Sequence, residues 1–387
     1  MLIAEHEVGS GWSAPRLVPT SPLTLHPACQ VLHYGVCCFE GMKAFVDASG
    51  EIRLFRPDMN AARLRRSCER LALAAPEAAE LEALLKRFLA ADAAWIRASP
   101  ARACYLRPFA FSSAPTLGVR APTRTTLCVL AGLLPPLMSE AVPPPQTLFV
   151  ETRARRAFPG GAGSHKVGGN YAPTLLPGLE AKERHGAGHV LFTVPEEIDW
   201  TVPTRDRKPP RLMASECTAM NVLFLFERKQ GEDQPWNQGY EQSQGENLAG
   251  SAGPAGSPAH YLELATPPLD DCILPGVTRD SLLTMAREWA RDPSTPELPL
   301  VVSERPVSID ELEARLRDGS CLEVFGCGTA YVVMPVGEVV LGDGAVRLAP
   351  KRPGFGPFSK ALRTQLLDIQ RGTVPSDWSV PIGTKQA

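Results

Sequence analysis

The segment Gly160-Gly161-Ala162-Gly163-Ser164-His165-Lys166-Val167-Gly168-Gly169-Asn170-Tyr171 places five glycines around a single lysine. A backbone so poor in side chains can approach a bound ligand closely. A phosphate-binding P-loop is not indicated, because it needs glycine before the lysine and Ser or Thr after it, whereas His165 and Val167 flank Lys166 here. A lysine held partly out of water in such a loop can instead attack a carbonyl carbon. By itself, however, the segment is more typical of an ordinary surface lysine in a flexible loop.

Two other glycine-containing turns are candidates for binding an anion. In Ile273–Arg279 (ILPGVTR), a Pro-Gly turn directly precedes a predicted helix, so the amides of Val277 and Thr278 can face an anion from the helix N-terminus. The second turn, Phe325–Ala330 (FGCGTA), contributes the hydroxyl of Thr329. Each turn taken singly is more typical of a plain helix cap or a hairpin.

Two charged residues are further candidates for a site. Glu216 comes shortly before an apolar strand predicted at 222–226, so it is either a solvated loop residue or a carboxylate directed into a cleft. Arg63 lies on a predicted helix and could equally be a solvated residue like Arg65 and Arg66. Spacing alone does not decide between these alternatives.

Composition excludes several classes of partner. The 40 basic and 42 acidic residues give a formal net charge of -2, which provides no electrostatic reason to expect nucleic acid or an anionic membrane. The ten cysteines are scattered through apolar stretches, and a chain of 387 residues needs no disulfide scaffold, so a reducing compartment is expected. No stretch approaches the roughly 18 to 20 apolar residues of a membrane helix. Residues 1–7 resemble neither a secretory signal nor a mitochondrial presequence, so we expect a cytoplasmic protein, or a mitochondrial one if a leader is missing.

The length of the chain predicts two domains. Five prolines between 135 and 145 favour a connector at 135–146, which would separate a small N-terminal α/β domain (1–134) from a larger C-terminal α/β domain (147–387). Two polar segments, near 203–214 and 231–259, look like inserted surface loops. Residue patterns predict strands at 52–55, 103–109, 126–134, 147–152, 189–193, 221–226 and 261–266, and helices at 57–73, 81–89, 174–185, 279–291 and 309–317.

Taken together, the sequence resembles the branched-chain aminotransferases among the fold-type IV enzymes that depend on pyridoxal 5'-phosphate (PLP). The resemblance covers nearly the whole chain outside the two polar segments. The motifs that carry it are LHPA (25–28), YGVCCFEGMKAF (34–45), Arg53–Arg56 with Arg63, YLRP (105–108), KVGGNY (166–171), LATPPL (264–269), LPGVTR (274–279) and FGCGTA (325–330). The implied fold is α/β (α+β), with two domains and the cofactor between them.

The resemblance also implies a role for each candidate residue. Lys166 would bind PLP covalently and then move a proton as a general acid and base. Tyr171 would hydrogen-bond near the phenolic oxygen of the cofactor, and Glu216 would pair with its pyridine nitrogen. The phosphate would be held by Arg63, by the amides of Val277 and Thr278, and by the hydroxyl of Thr329. No metal site is expected.

On the substrate side, the resemblance implies an apolar side-chain pocket with Arg107 orienting the carboxylate. The aromatic residues implied to line the pocket are Tyr34, Phe39 and Tyr105, each of which could instead pack in the core. Thr218, Ala219 and Ala330 are expected near the substrate. The sequence departs from the family at Ala219, where a hydroxyl is expected that Thr218 carries one place earlier, and at Leu137, where an aromatic is expected.

Two further departures concern a helix and a cysteine pair. Pro177 falls inside the helix after the lysine loop, where a proline costs about 3 kcal/mol unless the helix bends. The cysteine pair that animal relatives carry after the Gly-Thr-Ala turn is replaced by Tyr331 and Met334, so no redox switch of that kind is expected.

The expected function is therefore reversible amino transfer from leucine, isoleucine or valine to 2-oxoglutarate, with ping-pong kinetics, in a homodimer. The binding partners would be small amino acids and 2-oxo acids, without nucleic acid or membrane. Two alternatives stay open. One is a PLP enzyme of the same fold with another hydrophobic amino acid as substrate, or with lyase chemistry. The other is a catalytically impaired homologue, suggested by the inserted loops and by Ala219.

Overall fold

Short apolar segments separated by turns form two nine-stranded sheets, and helices pack against both. The computed structural model describes residues 1–135, 142–196, 210–229, 260–292, 299–342 and 345–383. None of the helices in these ranges is both long and apolar enough to cross a membrane. All ten cysteines are free thiols, so packing rather than disulfide bonding holds the fold. The mixed helix and strand content confirms the predicted α/β class.

The first sheet is antiparallel throughout. Its strands are β1 (Leu2–Glu7), β2 (Gly11–Trp12), β3 (Arg16–Leu17), β4 (Cys37–Phe39), β5 (Met42–Val46), β6 (Ile52–Phe55), β7 (Cys104–Ser112), β8 (Arg124–Leu133) and the last strand of the chain, β18 (Ser379–Pro381). Their order is β18-β6-β5-β7-β8-β1-β2, with β3 beside β1 and β4 beside β7. Buried and half-buried positions alternate over the first half of β7, as expected where one face of a strand covers a core.

The second sheet is mixed. Its strands are β9 (Gln146–Glu151), β10 (His189–Pro195), β11 (Leu212–Cys217), β12 (Asn221–Lys229), β13 (His260–Thr266), β14 (Leu300–Glu304), β15 (Cys321–Gly328), β16 (Val332–Leu341) and β17 (Val346–Leu348). Their order is β11-β10-β9-β16-β15-β12-β13-β14, with β17 beside β16. Three pairs are parallel, namely β9 with β10, β9 with β16, and β13 with β14. The central strand β12 is buried at nearly every position, which explains its unbroken apolar run.

The helices bury apolar stripes against these sheets. They are α1 (Gln30–Tyr34), α2 (Pro57–Arg70), α3 (Ala78–Ala91), α4 (Ala93–Arg97), α5 (Leu175–His185), α6 (Val277–Arg291), α7 (Ile309–Asp318) and α8 (Pro357–Gln370). On α3 the buried residues are Leu81, Leu85, Phe88 and Leu89, which are spaced so that they lie on one face of the helix. They join the core of the first sheet. Phe55 of β6 packs instead with α6 and α8 in the core of the second sheet, which ties the two halves together.

The predicted helices and strands are all present, with ends shifted by a few residues, but the sequence patterns missed several others. The N-terminal strands, β14 to β17 and α8 were not predicted, and Phe325–Ala330 was read as a turn although β15 continues to Gly328. The connector at 135–146 remains a prediction, and residues 136–141, with Leu137, lie outside the described ranges. The chain does not divide cleanly there, because β18 pairs with β6 in the first sheet.

The expectation for Pro177 is corrected by the structure. Pro177 is the third residue of α5, so it lies in the first turn, where backbone N–H groups have no partner within the helix and the expected cost of about 3 kcal/mol does not arise. At the start of α7, the Oγ of Ser308 caps the helix by accepting a hydrogen bond from the N–H of Glu311 at 3.0 Å. The Glu311 carboxylate does not complete the capping box, since it binds Arg305 at 2.8 Å.

The two predicted insertions fall mostly on residues outside the described ranges. This holds for 203–209 of the first segment and for all of the second, 231–259. The end of the first segment is described, and it differs from the prediction, because β11 already begins at Leu212 and leads to Glu216. The strand that carries the glutamate is therefore in place.

Candidate active site

The lysine loop is fixed to the first sheet through its backbone. The N–H of Lys166 donates to the Oγ of Ser67 on α2 at 2.9 Å, and the C=O of Lys166 accepts from the N–H of Phe39 on β4 at 3.0 Å. Val167 forms an isolated bridge with Cys38. A backbone bound on both sides of residue 166 presents its side chain from a defined position.

Gly163 lets the loop approach the segment that precedes α6. A Cβ added at Gly163 would lie 2.4 Å from the carbonyl oxygen of Asp271 and 2.6 Å from the Cα of Cys272, both of which are backbone atoms. Gly169, in the same loop, has no atom within 4 Å of an added Cβ. The two glycines therefore form a matched pair for testing whether this close approach is required.

We expect Gly163→Ala to destabilise the protein by about 1 to 3 kcal/mol, the typical cost of overpacking, and to weaken cofactor binding by shifting Lys166. Gly169→Ala should change stability by less than about 0.5 kcal/mol, as surface substitutions usually do. Thermal unfolding of both variants, with and without cofactor, measures the difference. Equal stability of the two variants would show that the Gly163 contact is not tight.

The amine of Lys166 lies between two aromatic rings. Its Nζ donates to the hydroxyl of Tyr171 at 3.0 Å and lies 5.0 Å from the ring centroid of Phe39 and 5.3 Å from that of Tyr171. The rings of Phe39 and Tyr171 contact each other, with centroids 5.0 Å apart. The lysine is half-buried, so its amine reaches the cavity while the rings restrict its movement.

Glu216, at the end of β11, is a buried carboxylate with three partners. Its Oε1 is 2.5 Å from Nη2 of Arg156 in an ion pair that lacks the alignment of a hydrogen bond. Its Oε2 accepts from the N–H of Leu274 at 2.9 Å and from Nδ2 of Asn221 at 3.1 Å. Burial raises the pKa of Glu216 above its usual value, whereas Arg156 and the Leu274 amide oppose the rise. The carboxylate is thus fixed in orientation, and its charge depends on its neighbours.

Arg63, on α2, is a buried cation whose hydrogen bonds to the protein use only some of its N–H donors. Its Nε and Nη2 donate to the two carboxylate oxygens of Glu40 at 2.7 and 2.9 Å, and its Nη1 donates to the carbonyl of Pro275 at 2.8 Å. Because a guanidinium carries five N–H donors, two of them remain for an anion in the cavity. Although burial alone would raise the pKa of Glu40, its ion pair with Arg63 holds that pKa below the usual value.

The N-terminus of α6 supplies amides beside Arg63. The first residues of this 15-residue helix, Val277 and Thr278, are buried, and no side chain caps the helix at Gly276. The first amides of a helix have no partner within the helix, so they and the helix dipole favour an anion. The side-chain hydroxyl of Thr329 lies nearby but donates to the carbonyl of Gly41 at 3.1 Å, so it would have to rotate to donate to a ligand.

One cavity brings these groups together. Its empty volume is about 390 Å³, part of which is open to solvent. Its lining residues are Arg63, Lys166, Tyr171, Glu216, Ala219, Met220, Asn221, Leu274, Gly276, Val277, Thr278, Cys327, Gly328 and Thr329. All seven residues predicted to bind the cofactor are in this lining, which combines a cationic, amide-rich group with a buried carboxylate and an amine.

The residues predicted to bind substrate are more dispersed. Ala219 lines the cavity, and Phe39 contacts both Lys166 and Tyr171. Thr218 is half-buried, and its N–H donates to the carbonyl of Val190 at 3.2 Å. Tyr34 is 40% exposed and donates its hydroxyl proton to the carbonyl of Leu117. Neither Thr218 nor Tyr34 is among the lining residues.

The other predicted substrate residues lie on strands or turns beside the cavity. Arg107 donates from Nε to the carbonyl of Glu40 at 2.9 Å and from Nη2 to the hydroxyl of Tyr105 at 2.8 Å. Its guanidinium carbon lies 4.7 Å from the ring centroid of Phe39. The carbonyl of Ala330 accepts a hydrogen bond from Lys43 at 2.6 Å. Arg107 thus reaches Phe39, Ala330 directly follows the lining residue Thr329, and none of Tyr105, Arg107 and Ala330 lines the cavity itself.

Two charged residues of the site were missed by the sequence analysis. Glu40 and Arg156 are the charge partners of Arg63 and Glu216. Glu40 lies in the motif at 34–45, where a single acidic residue in a largely apolar stretch could have indicated a buried charge. Arg156 offered no signal, because nothing in its spacing relates it to residue 216.

Comparisons with known proteins identify the family of the chain. The family model for amino-transferase class IV matches residues 37–339. The cytosolic branched-chain-amino-acid aminotransferase of Mus musculus is 33% identical over 382 residues, which cover 99% of this chain and 85% of the mouse protein. The mitochondrial enzyme of Bos taurus is likewise 33% identical over 382 residues, covering 99% of this chain and 84% of the bovine protein.

A solved structure shows the same fold. The branched-chain amino acid aminotransferase of Thermobaculum terrenum in its PLP form matches with a TM-score of 0.68 and 19% identity, covering 99% of this chain and 98% of that one. At that identity the likeness concerns the fold alone, and the relationship rests on the family model and the two animal relatives. The chain therefore belongs to the class IV aminotransferases and, within them, to the branched-chain-amino-acid aminotransferase family.

Proposed function

We propose that this protein is a PLP-dependent transaminase that moves the amino group of leucine, isoleucine or valine to 2-oxoglutarate. The cavity fits the cofactor by its donor set. Arg63 and the uncapped amides of α6 suit a phosphate, and the buried carboxylate of Glu216 suits a protonated ring nitrogen. The amine of Lys166 supplies the nucleophile that an aldehyde requires.

The reaction divides into a role for the cofactor and roles for the protein. Bound PLP would supply an electron sink for the electrons released when the Cα–H bond of the amino acid breaks. Lys166 would hold the cofactor, be displaced by the amino acid, and then take the proton from Cα as general base and deliver it to the cofactor carbon as general acid. Tyr171, 3.0 Å from Nζ, would orient that amine between the two steps.

Glu216 would keep its charge next to the ring nitrogen because Arg156 is paired with it. Without that cation, burial would favour the protonated carboxyl, and the ring nitrogen would lose its anionic partner. The proposed role of Glu216 therefore includes Arg156 as the residue that keeps it ionised.

On the substrate side, Phe39 offers an apolar ring beside the lysine, and Arg107 lies against its face. An apolar wall distinguishes substrates by only about 1 to 3 kcal/mol per methylene, so related hydrophobic amino acids should all be accepted. Tyr34, Tyr105, Thr218, Ala219 and Ala330 are proposed to complete the substrate site. Ala219 places a methyl group where a hydroxyl is expected, which would weaken polar contact with the carboxylate.

The observation that carries the proposal is that Lys166 and Glu216 share one cavity with the uncapped N-terminus of α6. We further propose a homodimer and a cytoplasmic location. The two animal relatives are both branched-chain-amino-acid aminotransferases, which supports the proposed chemistry. One of them is cytosolic and the other is mitochondrial.

The proposal is tested with purified holoenzyme, 2-oxoglutarate and separate amino donors. We expect glutamate to form with leucine, isoleucine and valine, each with kcat/KM at least about tenfold above that of phenylalanine or alanine, the ratio that roughly 1.4 kcal/mol of pocket discrimination provides. A preference for an aromatic donor would indicate altered specificity in the same fold. A protein that binds PLP but forms no glutamate with any donor would contradict transamination.

A further inference from the structure

Lys43 is a buried lysine to which the proposed reaction gives no role. It lies on β5 of the first sheet and is 2% exposed. Its Nζ donates to the carbonyl of Ala330 at 2.6 Å. Ala330 lies in the turn between β15 and β16 of the second sheet, directly after the cavity residue Thr329. One hydrogen bond from the Lys43 amine thus joins the two halves of the protein beside the cavity.

The same turn is held by a second bond from the same part of the first sheet. The hydroxyl of Thr329 donates to the carbonyl of Gly41, two residues before Lys43. Directly after the turn, Val332 has φ of +65°, a left-handed conformation that is unfavourable for a β-branched residue. Such a conformation persists only where the surroundings impose it. The two bonds to the first sheet are therefore among the contacts that hold the turn in this shape.

Stability alone does not explain a lysine at this position. Burial, together with the positive charges of Arg363 and Arg371, lowers the pKa of Lys43 to about 7. An apolar side chain of similar length would fill the same space without the cost of burying a charge. What it could not do is hold the Ala330 carbonyl.

We propose that Lys43 is a positioning residue that fixes the Thr329-Ala330 turn and, with it, the place of Ala330 in the proposed substrate site. This inference rests on the proposed function. The bond from Lys43 to the carbonyl of Ala330 restrains the orientation of the peptide group that follows Ala330. Lys43 itself does not touch the reacting atoms.

The test compares the wild-type holoenzyme with Lys43→Met and with Lys351→Met as a matched control. Lys351 is an exposed lysine whose Nζ lies 3.4 Å from Glu227 at the surface. For each protein, KM and kcat for leucine and the dissociation constant for PLP are measured. We expect Lys43→Met to raise KM at least about tenfold, as leaving the Ala330 carbonyl without its donor predicts, with a smaller change in kcat. Its PLP affinity should stay within about threefold, and Lys351→Met should match the wild type.

Three results would overturn the inference: a KM for leucine within about threefold of wild type in Lys43→Met, an equal rise in Lys351→Met, or a loss of PLP affinity as large as the rise in KM. If Lys43→Met does not give folded holoenzyme, Lys43→Gln, which keeps a shorter donor, replaces it with the same expected direction. If the wild type does not transaminate leucine, the proposed function fails separately. The inference is then judged by the affinity for 4-methylvaleric acid, an unreactive carboxylate, which Lys43→Met should weaken by the same factor.

Discussion

Lys166→Ala is expected to abolish transamination and to remove the covalent lysine–cofactor bond that borohydride traps. The variant loses both the nucleophile that holds the cofactor and the base that takes the Cα proton. General acid–base catalysis alone contributes about 10²- to 10⁴-fold, so turnover should fall by at least that factor. The fold should survive, because the backbone contacts of residue 166 with Ser67 and Phe39 do not involve its side chain.

The matched control for this variant is Lys182→Ala. Lys182 is an exposed residue of α5, so its loss should leave activity and stability unchanged. Steady-state kinetics and the absorbance spectrum of both variants separate the outcomes. Transamination and a trappable bond in folded Lys166→Ala would show that another amine carries the cofactor.

The second large effect is expected at Glu216. Glu216→Ala should lower kcat by about 10² to 10³, the range seen when one preorganised charge-stabilising group is removed from an active site. PLP should still bind, because the groups proposed to hold its phosphate and Lys166 are unchanged. The variant also leaves Arg156 buried without its partner, so some loss of stability is expected.

Glu216→Gln separates the charge from the packing, since glutamine has nearly the same shape and keeps an oxygen for the N–H of Leu274. It should show the same fall in kcat with less loss of stability. Glu338→Ala is the control, because Glu338 forms a partly exposed ion pair with Arg347. A kcat of Glu216→Gln close to that of the wild type would reject the proposed pairing with the ring nitrogen.

Much of the candidate site could be read from the sequence because its parts lie in short continuous segments. The lysine loop, the Pro-Gly turn before Val277 and the Gly-Thr-Ala turn each carry a recognisable pattern of glycines and hydrogen-bond donors. The local pattern of each segment identified candidate residues, but no segment indicated that it lies next to the others in the fold. Only the resemblance to a family joined them, and the structure places Lys166, Glu216 and Val277 around one cavity.

The charge partners could not be read in this way, because ion pairs between distant segments follow from the tertiary fold. Nothing in the spacing of residues 40 and 63, or 156 and 216, predicts the pairs that Glu40 and Arg156 form. The strand β15 was missed for a different reason. It is buried on both faces and contains Gly326, so it has neither the alternation of an exposed strand nor a residue composition that favours one.

The most direct test of the central claim is borohydride reduction of the PLP-loaded enzyme, followed by proteolysis and mass spectrometry of the labelled peptide. Our account predicts a single phosphopyridoxyl label on Lys166, whose amine shares the cavity with Arg63 and Glu216. A label on Lys43 or on any other lysine, or a cofactor that binds without forming a reducible bond, would contradict it.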